Sequence, residues 1–528
     1  MVSRISSSRN SSTFPQPLDR TALILMAVLA IIIAGLLMGG DRTLPRVRDF
    51  SWQGKQVGAE DVAFTLTFNR PMDHKSVEDN LQVEVLIPDR ERQPVPGKVS
   101  WAGRRMAYTL TEPAPYGYEF ELNLDQARDR FTEAGPDAPT IEPFTGSFRT
   151  RDSAFLYLGV SGEEEGRLVL HNFTRKEKRL LTPETLVVMN YEPYPEGDRV
   201  LFSATDRVSQ EQGLLNQQLY AVSTGIQVES PALLPGDRSL NKITPSPVKE
   251  LPPEGEVQLI LDSTDYQNLK FDLSPDGQTI VAYRVNRQNP ADFGLWVVRA
   301  DEPPHPLDTE PGGDFLITPD SQAIAYLQGQ GLSLLPLSND DITADPLEFL
   351  PQYGMVLGFS RNGSGAAMVQ FNPDPATPTQ SLFLVTNQGT EKELLEIQGS
   401  ILDAQFDPMG NVLYCLVTEV VPGDFYVEQP YLVAIDLQTA ERTDLLILPI
   451  QPNIHMSLAP DGLGILFDQV MSTPDDTSEP GLLRGNDGKP IGMSKLWFLP
   501  ILRDEDGQLI QTDPDELPMA GLQPQWLP

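Results

Sequence analysis

The 528-residue sequence contains very little cysteine and histidine. Its only cysteine is Cys415, which excludes an intrachain disulfide, a zinc site of four cysteines and an iron–sulfur cluster within one chain. The four histidines stand far apart, at His74, His171, His305 and His455. None of them has a partner at the spacing of a zinc motif. We therefore expect no metal and no cofactor, and no residue is predicted to bind either.

Basic residues are also scarce. The chain has 39 lysines and arginines against 74 aspartates and glutamates, a formal net charge of −35. Such a surface repels phosphate groups, which disfavours nucleic acid as a partner and argues against adsorption to an anionic lipid surface. Apolar residues make up 40% of the chain, which is enough for a packed core. The 48 prolines are about twice the usual share, and they favour short strands and turns over long helices.

Motifs of common enzyme classes are missing from the sequence. There is no G-x-S-x-G nucleophile elbow, no Walker A motif and no dinucleotide fingerprint. The stretch Asp504-Glu-Asp-Gly507 is similar to the start of a calcium loop but lacks the later ligands, so a solvated hairpin turn is preferred over a cation site. Cys415 lies within an apolar run and is predicted to be a buried, unreactive thiol. No catalytic residue is predicted, and we expect a protein that is not an enzyme.

The longest uncharged apolar run extends from Ala22 to Gly40. As a helix its 19 residues span roughly 28 Å, close to the ~30 Å hydrocarbon core of a bilayer. We predict a transmembrane signal anchor over 22–40, a disordered cytoplasmic tail over 1–21 and the bulk of the chain on the far side. A cleaved signal peptide is the alternative, although the run exceeds the usual 7–15 residues and no clear cleavage site follows it. A buried helix of a soluble domain is a further alternative.

Residues 46–152 form a distinct block of alternating patterns. Apolar and polar residues alternate in Val62–Phe68, in Leu81–Val85 and in Tyr118–Leu122, and turn residues separate these runs. Alternation with a period of two indicates strands with one buried face. Several short strands at this spacing predict a β-sandwich of about 100 residues.

Three motifs of this block resemble bacterial Ig-like domains of the S-layer type. They are Phe68-Asn-Arg-Pro-Met-Asp73, Gly97-Lys-Val-Ser-Trp101 and Phe148-Arg-Thr150. The resemblance covers about 105 residues and implies a non-catalytic spacer or adhesion module. A ligand site on its loops is the alternative.

From residue 153 to the end, an apolar strand, a tight turn and a second apolar strand recur. The clearest copy is Phe271-Asp-Leu-Ser-Pro-Asp-Gly-Gln-Thr-Ile-Val-Ala-Tyr283. Proline restricts φ to the value that the turn needs, the aspartate side chain forms hydrogen bonds with the nearby backbone, and glycine adopts a positive φ. The turn prolines are Pro195, Pro275, Pro319, Pro408 and Pro460, with Arg361 in the equivalent position of a degenerate copy. From Pro275 onward the copies are 42 to 52 residues apart, which is typical of one propeller blade.

The first interval, from Pro195 to Pro275, is longer than one blade. It contains the proline-rich stretch 244–253, which is interpreted as a surface loop or as part of an unrecognised blade. The repeated motif resembles the TolB-type, WD-like β-propeller repeat, and the resemblance covers 153–528. The C-terminal residues Gln523–Pro528 are similar to the first strand of a repeat that is cut off at its proline. We predict that the strands near 155–160 and 167–170 complete this blade and close the ring, which favours seven blades, with six and eight as alternatives.

The predicted fold class is therefore mainly β, with an N-terminal transmembrane helix, an Ig-like β-sandwich and a β-propeller. The preferred function is a non-enzymatic, membrane-anchored scaffold that binds an unidentified protein in the periplasm, in a comparable lumen or outside a bacterial cell. The alternatives are a propeller that binds or acts on glycans or cell wall, and a structural cell-surface protein. The partners predicted are the membrane, through one helix, and a protein, with a glycan as the alternative ligand and nucleic acid excluded.

Overall fold

The computed structural model describes residues 21–31, 43–87, 92–131, 140–212, 216–226, 255–329, 331–337, 348–374, 377–423, 425–451, 453–472, 491–504 and 507–528. Its first element is α1, a helix over residues 21–31 whose side chains are all exposed. Of the helices in the described residues, none combines the length and apolar character that crossing a membrane requires. The predicted anchor extends further, but its residues 32–40 lie outside the described part of the chain, as does most of the predicted tail.

Two packed sheets form the region from 47 to 150. In chain order its elements are β1 (Val47–Phe50), β2 (Gln56–Val57), β3 (Ala63–Phe68), α2 (His74–Asn80), β4 (Leu81–Leu86), β5 (Gln93–Pro94), β6 (Gly97–Ala102), β7 (Arg105–Leu110), β8 (Glu119–Leu124) and β9 (Phe144–Thr150). One sheet has the order β1-β3-β7-β6 and the other β2-β9-β8-β4-β5. The three alternating runs are indeed strands, namely β3, β4 and β8.

A single hydrophobic core lies between these two sheets. Phe64, Leu66 and Phe68 of β3 are completely buried, and the residues between them are partly exposed, as the period of two requires. Phe120 of β8 stacks on Phe148 of β9 with ring centroids 4.8 Å apart. We refer to this region, residues 43–152, as the sandwich.

The remaining strands form seven four-stranded antiparallel sheets in the described residues. Sheet 1 contains β10 (Ala154–Gly159), β11 (Leu168–Asn172), β12 (Glu177–Leu180) and the last strand of the chain. Sheet 2 contains β13 (Leu186–Pro193), β14 (Arg199–Asp206), β15 (Gln218–Ser223) and β16 (Val257–Leu261), with the short helix α3 (Arg207–Glu211) after β14. Sheet 3 contains β17 (Tyr266–Leu273), β18 (Thr279–Asn286), β19 (Phe293–Arg299) and β20 (Glu302–Pro306). Sheet 4 contains β21 (Phe315–Ile317), β22 (Ala323–Gln328), β23 (Gly331–Pro336) and β24 (Glu348–Leu350).

Sheets 5 to 7 repeat the same order of strands. Sheet 5 contains β25 (Met355–Phe359), β26 (Gly365–Asn372), β27 (Thr379–Thr386) and β28 (Glu391–Ile397). Sheet 6 contains β29 (Ile401–Phe406), β30 (Val412–Val420), β31 (Glu428–Asp436) and β32 (Arg442–Ile447). Sheet 7 contains β33 (Met456–Leu458), β34 (Gly464–Ser472), β35 (Ile491–Pro500) and β38 (Asp515–Glu516), and the pair β36 (Leu502–Arg503) and β37 (Leu509–Ile510) precedes β38. The last strand, β39 (Gly521–Trp526), pairs antiparallel with β10 of sheet 1.

Buried apolar side chains connect each sheet to the next. Seven clusters in the described residues join sheets 1 and 2, 2 and 3, 3 and 4, 4 and 5, 5 and 6, 6 and 7, and finally 7 and 1. In the last cluster, Leu466 and Leu496 of sheet 7 contact Phe155 and Trp526 of sheet 1. This order of consecutive sheets is that of a propeller-like fold.

Each clear copy of the repeat lies at the turn between the first and second strands of a sheet. In the turn of sheet 3, Ser274 Oγ accepts a hydrogen bond from Thr279 N, and Asp276 Oδ1 accepts one from Gln278 N. Gly277 has φ of +69°, and a Cβ there would lie 3.1 Å from Cδ of Pro195, the turn proline of sheet 2. The glycine therefore serves the turn and also the contact with the preceding sheet.

Substitution of two turn glycines can distinguish the role in the turn from the role in the contact with the preceding sheet. Gly462 has φ of +73° and a Cβ there would lie 3.1 Å from Pro408, whereas Gly410 has φ of +72° with nothing within 4 Å. We expect Gly410→Ala to lower the free energy of unfolding by about 1–2 kcal/mol through backbone strain alone. Gly462→Ala should cost about 1 kcal/mol more because the methyl group crowds the proline. Urea unfolding measures both variants, and equal losses would contradict the proposed role of the contact.

Candidate functional site

The inner strands of all seven sheets meet around a central channel. These strands are β39 of sheet 1 and the first strand of every other sheet. Two cavities of about 490 and 690 Å³ lie among them. The smaller cavity is lined by inner strands of sheets 2 to 6, and the larger one by those of sheets 6, 7, 1 and 2. Gln405 lines both cavities, so they are adjacent parts of one channel.

One position of each inner strand, which we call the channel position, is of particular interest. It stands three residues before the turn proline or its equivalent. From sheet 1 to sheet 7 it is occupied by Gln525, Glu192, Asp272, Leu316, Gly358, Gln405 and Ser457. Five of the seven residues are polar although the strands around them are apolar.

The first two acids at this position form hydrogen bonds between neighbouring sheets. Glu192 Oε2 of sheet 2 accepts a hydrogen bond from the backbone N–H of Leu273 in sheet 3, at 3.0 Å. Asp272 Oδ2 of sheet 3 accepts one from the backbone N–H of Ile317 in sheet 4, at 2.6 Å. In each case the donor immediately follows the channel position of the next sheet. The two carboxyl groups therefore hold three inner strands in register.

The same contact recurs on the other side of the ring. Gln405 Oε1 of sheet 6 accepts from Leu458 N at 2.8 Å, and Ser457 Oγ of sheet 7 accepts from Trp526 N at 3.0 Å. The other three junctions differ for chemical reasons. Leu316 and Gly358 have no side-chain acceptor, and Gln525 faces the junction where the equivalent donor residue is Pro193, which has no N–H.

Burial shifts the titration of the channel acids. It raises the pKa of Asp272 to about 6, against the lowering effects of the Ile317 N–H and of Lys270. Burial and the charge of Asp272 together raise the pKa of Glu192 well above its usual range. Burial also raises the pKa of Asp403 to about 6, although Gln405 Nε2 donates a hydrogen bond to Asp403 Oδ2. The channel wall therefore carries fewer charges near pH 6 than its composition suggests.

A histidine–aspartate pair lies at the wall of the larger cavity. Asp468 is completely buried, and its Oδ1 accepts a hydrogen bond from His455 N at 2.7 Å. Its Oδ2 lies 2.9 Å from His455 Nδ1 and also accepts from Gln523 N of β39 at 2.8 Å. Burial lowers the pKa of His455, but the hydrogen bond to Asp468 and the charges of Asp468 and Asp403 outweigh it, so the pKa lies above its ordinary value.

This pair links sheet 7 to the closing strand and orients an imidazole toward the channel. An aspartate that orients a histidine is also part of catalytic triads, in which the other ring nitrogen bonds a nucleophile. Within the described residues, His455 has no hydrogen bond to a hydroxyl or thiol group. Within these residues the pair therefore lacks the third member of such a triad.

The sandwich covers the end of the channel where the turns lie. Tyr116 N donates a hydrogen bond to Asp461 Oδ2 of the sheet 7 turn at 3.0 Å. Arg151 Nη1 donates to the carbonyl of Pro195 in the sheet 2 turn, and Glu60 pairs with both Arg151 and Arg361 of the sheet 5 turn. These turns belong to sheets on different sides of the ring. We call the opposite end of the channel the loop end. There the second strand of each sheet connects to the third, as β30 does to β31, and none of these contacts is made there.

The structure places Cys415 and the stretch 504–507, which the sequence analysis considered, as follows. Cys415 of β30 is buried, as predicted, and burial raises the pKa of its thiol. Asp504 and Gly507 belong to a hydrogen-bonded turn between β36 and β37, as predicted, while residues 505 and 506 lie outside the described residues. Among the residues that the structure describes, no group of three or more histidine, cysteine or acidic side chains could hold a metal ion.

Sequence reasoning missed the channel position and the His455–Asp468 pair. The signal for the former was present, because acids three residues before the turn proline interrupt otherwise apolar strands, as at Glu192 and Asp272. No comparable signal marks the pair, since its two members become neighbours only when β34 folds back on β33.

No family model matches the chain, and no curated protein matches it. Solved structures do match. TolB from Acinetobacter baumannii is 9% identical, with 82% of this chain and 82% of that chain covered and a TM-score of 0.37. An oligogalacturonate lyase from Vibrio parahaemolyticus is 11% identical, with 68% and 92% covered and a TM-score of 0.42. A hydrazine synthase from Kuenenia stuttgartiensis is 11% identical, with 63% and 98% covered and a TM-score of 0.34.

The structural neighbours thus include a TolB-type propeller protein, and the chain is mainly β with a propeller-like fold. At these identities and scores the likenesses carry no argument about activity. The fold itself rests on the order of the strands and on the clusters between the sheets.

The raised pKa of Asp272 predicts a pH dependence of stability. Between about pH 4 and 6 the folded state keeps a proton that the unfolded chain has lost, so this contribution stabilises the protein at low pH and is lost as pH rises through about 6. Asp272→Asn removes the group. We compare the free energy of unfolding of this variant with that of the unmodified protein. The difference, variant minus unmodified protein, should increase by about 2 kcal/mol from pH 4 to pH 7.

Urea unfolding at several pH values measures this difference. The exposed Asp308→Asn serves as the control, and its stability relative to the unmodified protein should not change over the same range. A flat difference for Asp272→Asn as well would show that Asp272 titrates normally in the folded protein.

Proposed function

We propose that the chain is a non-enzymatic, membrane-anchored scaffold whose propeller binds a protein partner outside the cytoplasm. In this proposal a signal anchor over 22–40 follows a cytoplasmic tail over 1–21, an Ig-like sandwich occupies 46–152, and a closed propeller occupies 153–528. The seven sheets are its seven blades, and β39 closes the ring. The S-layer-like motifs, the uncharged apolar run and the pairing of β39 with β10 support this organisation.

The observation that carries the proposal is a group of exposed apolar side chains at the loop end of sheets 6 and 7. Phe425 and Tyr426 lie between β30 and β31, and their side chains are 83% and 76% exposed. Further exposed apolar residues lie at the same end of these two sheets, namely Val421, Ile447, Ile450, Met471 and Met493. Monomeric proteins rarely expose such residues together unless another molecule covers them.

The channel supports a binding role over a catalytic one. Glu192 and Asp272, the two acids at the channel position, already accept hydrogen bonds from the backbone of the next sheet. A glycan-cleaving site needs two carboxyl groups that are free to act as acid and base. We therefore prefer protein binding to the glycan alternative. The acidic chain favours a partner whose apolar patch is surrounded by basic residues.

A paired substitution tests the role of the loop end. We expect Phe425→Ser with Tyr426→Ser to reduce stoichiometric co-purification of a partner from solubilised membranes at least tenfold. The matched control is Phe131→Ser, which changes a sandwich residue of 75% exposure and should leave co-purification intact. Thermal melting checks that both variants fold. The absence of any stoichiometric partner, or an equal loss in the control, would refute the proposal.

The topology is tested separately with the full chain. We expect it to stay with membranes during carbonate extraction, because an uncharged helix of 19 residues is not displaced by high pH. Protease added to spheroplasts should digest the propeller. A chain that is released by carbonate, or that is digested only after lysis, would refute the membrane-anchored arrangement while leaving the partner experiment meaningful.

A further inference from the structure

A cavity of about 480 Å³ lies between sheets 4 and 5, at the end of the ring where the turns are. Its wall is mostly apolar, and it is formed chiefly by Leu334, Leu350, Phe359, Ala366, Met368 and Val385. This volume lies within the range of about 300–1,000 Å³ that is usual for small-molecule sites. The cavity shares Pro319, Phe359 and Arg361 with the smaller cavity of the channel, so these two cavities are adjacent.

One side chain in the wall of this cavity is unusually small. The residue three positions after the turn glycine, or after Ser321 in sheet 4, packs between consecutive sheets. In the other sheets that carry this turn it is Val200, Ile280, Ile324, Leu413 and Ile465. In sheet 5 it is Ala366, which is only 5% exposed. A small residue at a position that is otherwise large and apolar gives up packing between the sheets, so this departure from the pattern marks a candidate site.

Two further departures from the repeat lie at the same place. Leu316 occupies the channel position of sheet 4, so the inter-sheet hydrogen bond found in sheets 2, 3, 6 and 7 cannot form between sheets 4 and 5. Arg361 stands where the other turns have proline, and it lines the cavity. The junction between sheets 4 and 5 therefore lacks the inter-sheet hydrogen bond and has one additional positively charged side chain.

Arg361 retains the capacity to bind an anion. Its Nη2 lies 3.7 Å from Glu60 Oε2 of the sandwich, which is too long for a hydrogen bond. A guanidinium group presents several donors in a fork that suits a carboxylate. Since the chain carries a net charge of −35, general electrostatics would repel anions, and any anion bound here must be attracted locally by this arginine.

We propose that the cavity between sheets 4 and 5 binds a small amphiphilic carboxylate, with its apolar part against Leu334, Leu350 and Met368 and its carboxylate on Arg361. The proposal is independent of the scaffold function. Because Glu60 competes for the same guanidinium, the sandwich and the ligand are coupled at this point.

The probe is 2-naphthoate, and the neutral analogue is 2-naphthalenemethanol. Equilibrium dialysis is done with the full chain in nanodiscs of zwitterionic lipid, and empty nanodiscs provide the blank. We expect saturable binding of 2-naphthoate that Ala366→Ile weakens at least tenfold by occupying part of the cavity. The same variant should unfold at a higher temperature, because it restores the residue type of the other sheets.

Charge variants distinguish the contribution of the ligand's carboxylate to binding from that of its apolar part. Arg361→Gln should weaken 2-naphthoate about tenfold and leave the neutral analogue unchanged, whereas the exposed Arg105→Gln of the sandwich should change neither. Glu60→Gln should strengthen 2-naphthoate severalfold, because it releases Arg361 from a competing carboxylate. Ile324→Ala opens space between sheets 3 and 4, where the nearby Arg299 already donates a hydrogen bond to the carbonyl of Leu337, and it should add no second 2-naphthoate site.

Competition then identifies the apolar part of the ligand. Displacement by dodecanoate indicates an acyl chain, displacement by indole-3-acetate indicates an aromatic ring, and either result supports the proposal. Equal binding to the unmodified protein and to Ala366→Ile, or no saturable binding above the blank, would overturn it.

Discussion

Burial of each sheet against two neighbours is the constraint on which the whole ring depends. A single four-stranded sheet of this chain has apolar residues on both faces, as Val281 and Ala282 illustrate, since they belong to clusters on opposite sides of sheet 3. Neither face can be left in water without losing the largest favourable contribution to folding. The cluster between sheets 7 and 1 removes the last two open faces. The polar residues at the channel position then fix how neighbouring inner strands align.

The hydrogen bonds between neighbouring sheets give a structural reason for the acids of the channel. Carboxyl oxygens are good acceptors for backbone N–H groups that have no partner within their own sheet. Glu192 and Asp272 serve this purpose, and Asp468 does so for both His455 and Gln523. The polar residue is absent at Leu316, and the cavity between sheets 4 and 5 lies beside this junction.

Much of the architecture could be predicted from the sequence because it is encoded locally. Alternation in Val62–Phe68 and the turn chemistry of Ser274–Gly277 depend on residues only a few positions apart. The contacts of the candidate site are different, since Glu192 meets a backbone group 81 residues further on, and Glu60 of the sandwich meets Arg361 of the ring. Such pairs depend on the stacking of whole sheets. The cavity could be predicted in part. When the repeats are aligned on their turn glycines, the small residue Ala366 already stands out in the sequence.

Hydrogen exchange of individual backbone amides reports on the hydrogen bonds between neighbouring inner strands. We expect slow exchange at Leu273, Ile317, Leu458 and Trp526, whose N–H groups donate to channel-position side chains. Phe359 and Phe406 follow the channel position in the same way, but the preceding sheets offer Leu316 and Gly358 in place of an acceptor, so their amides should exchange at least tenfold faster. Indistinguishable rates at the two sets of amides would show that these side chains do not hold the inner strands together.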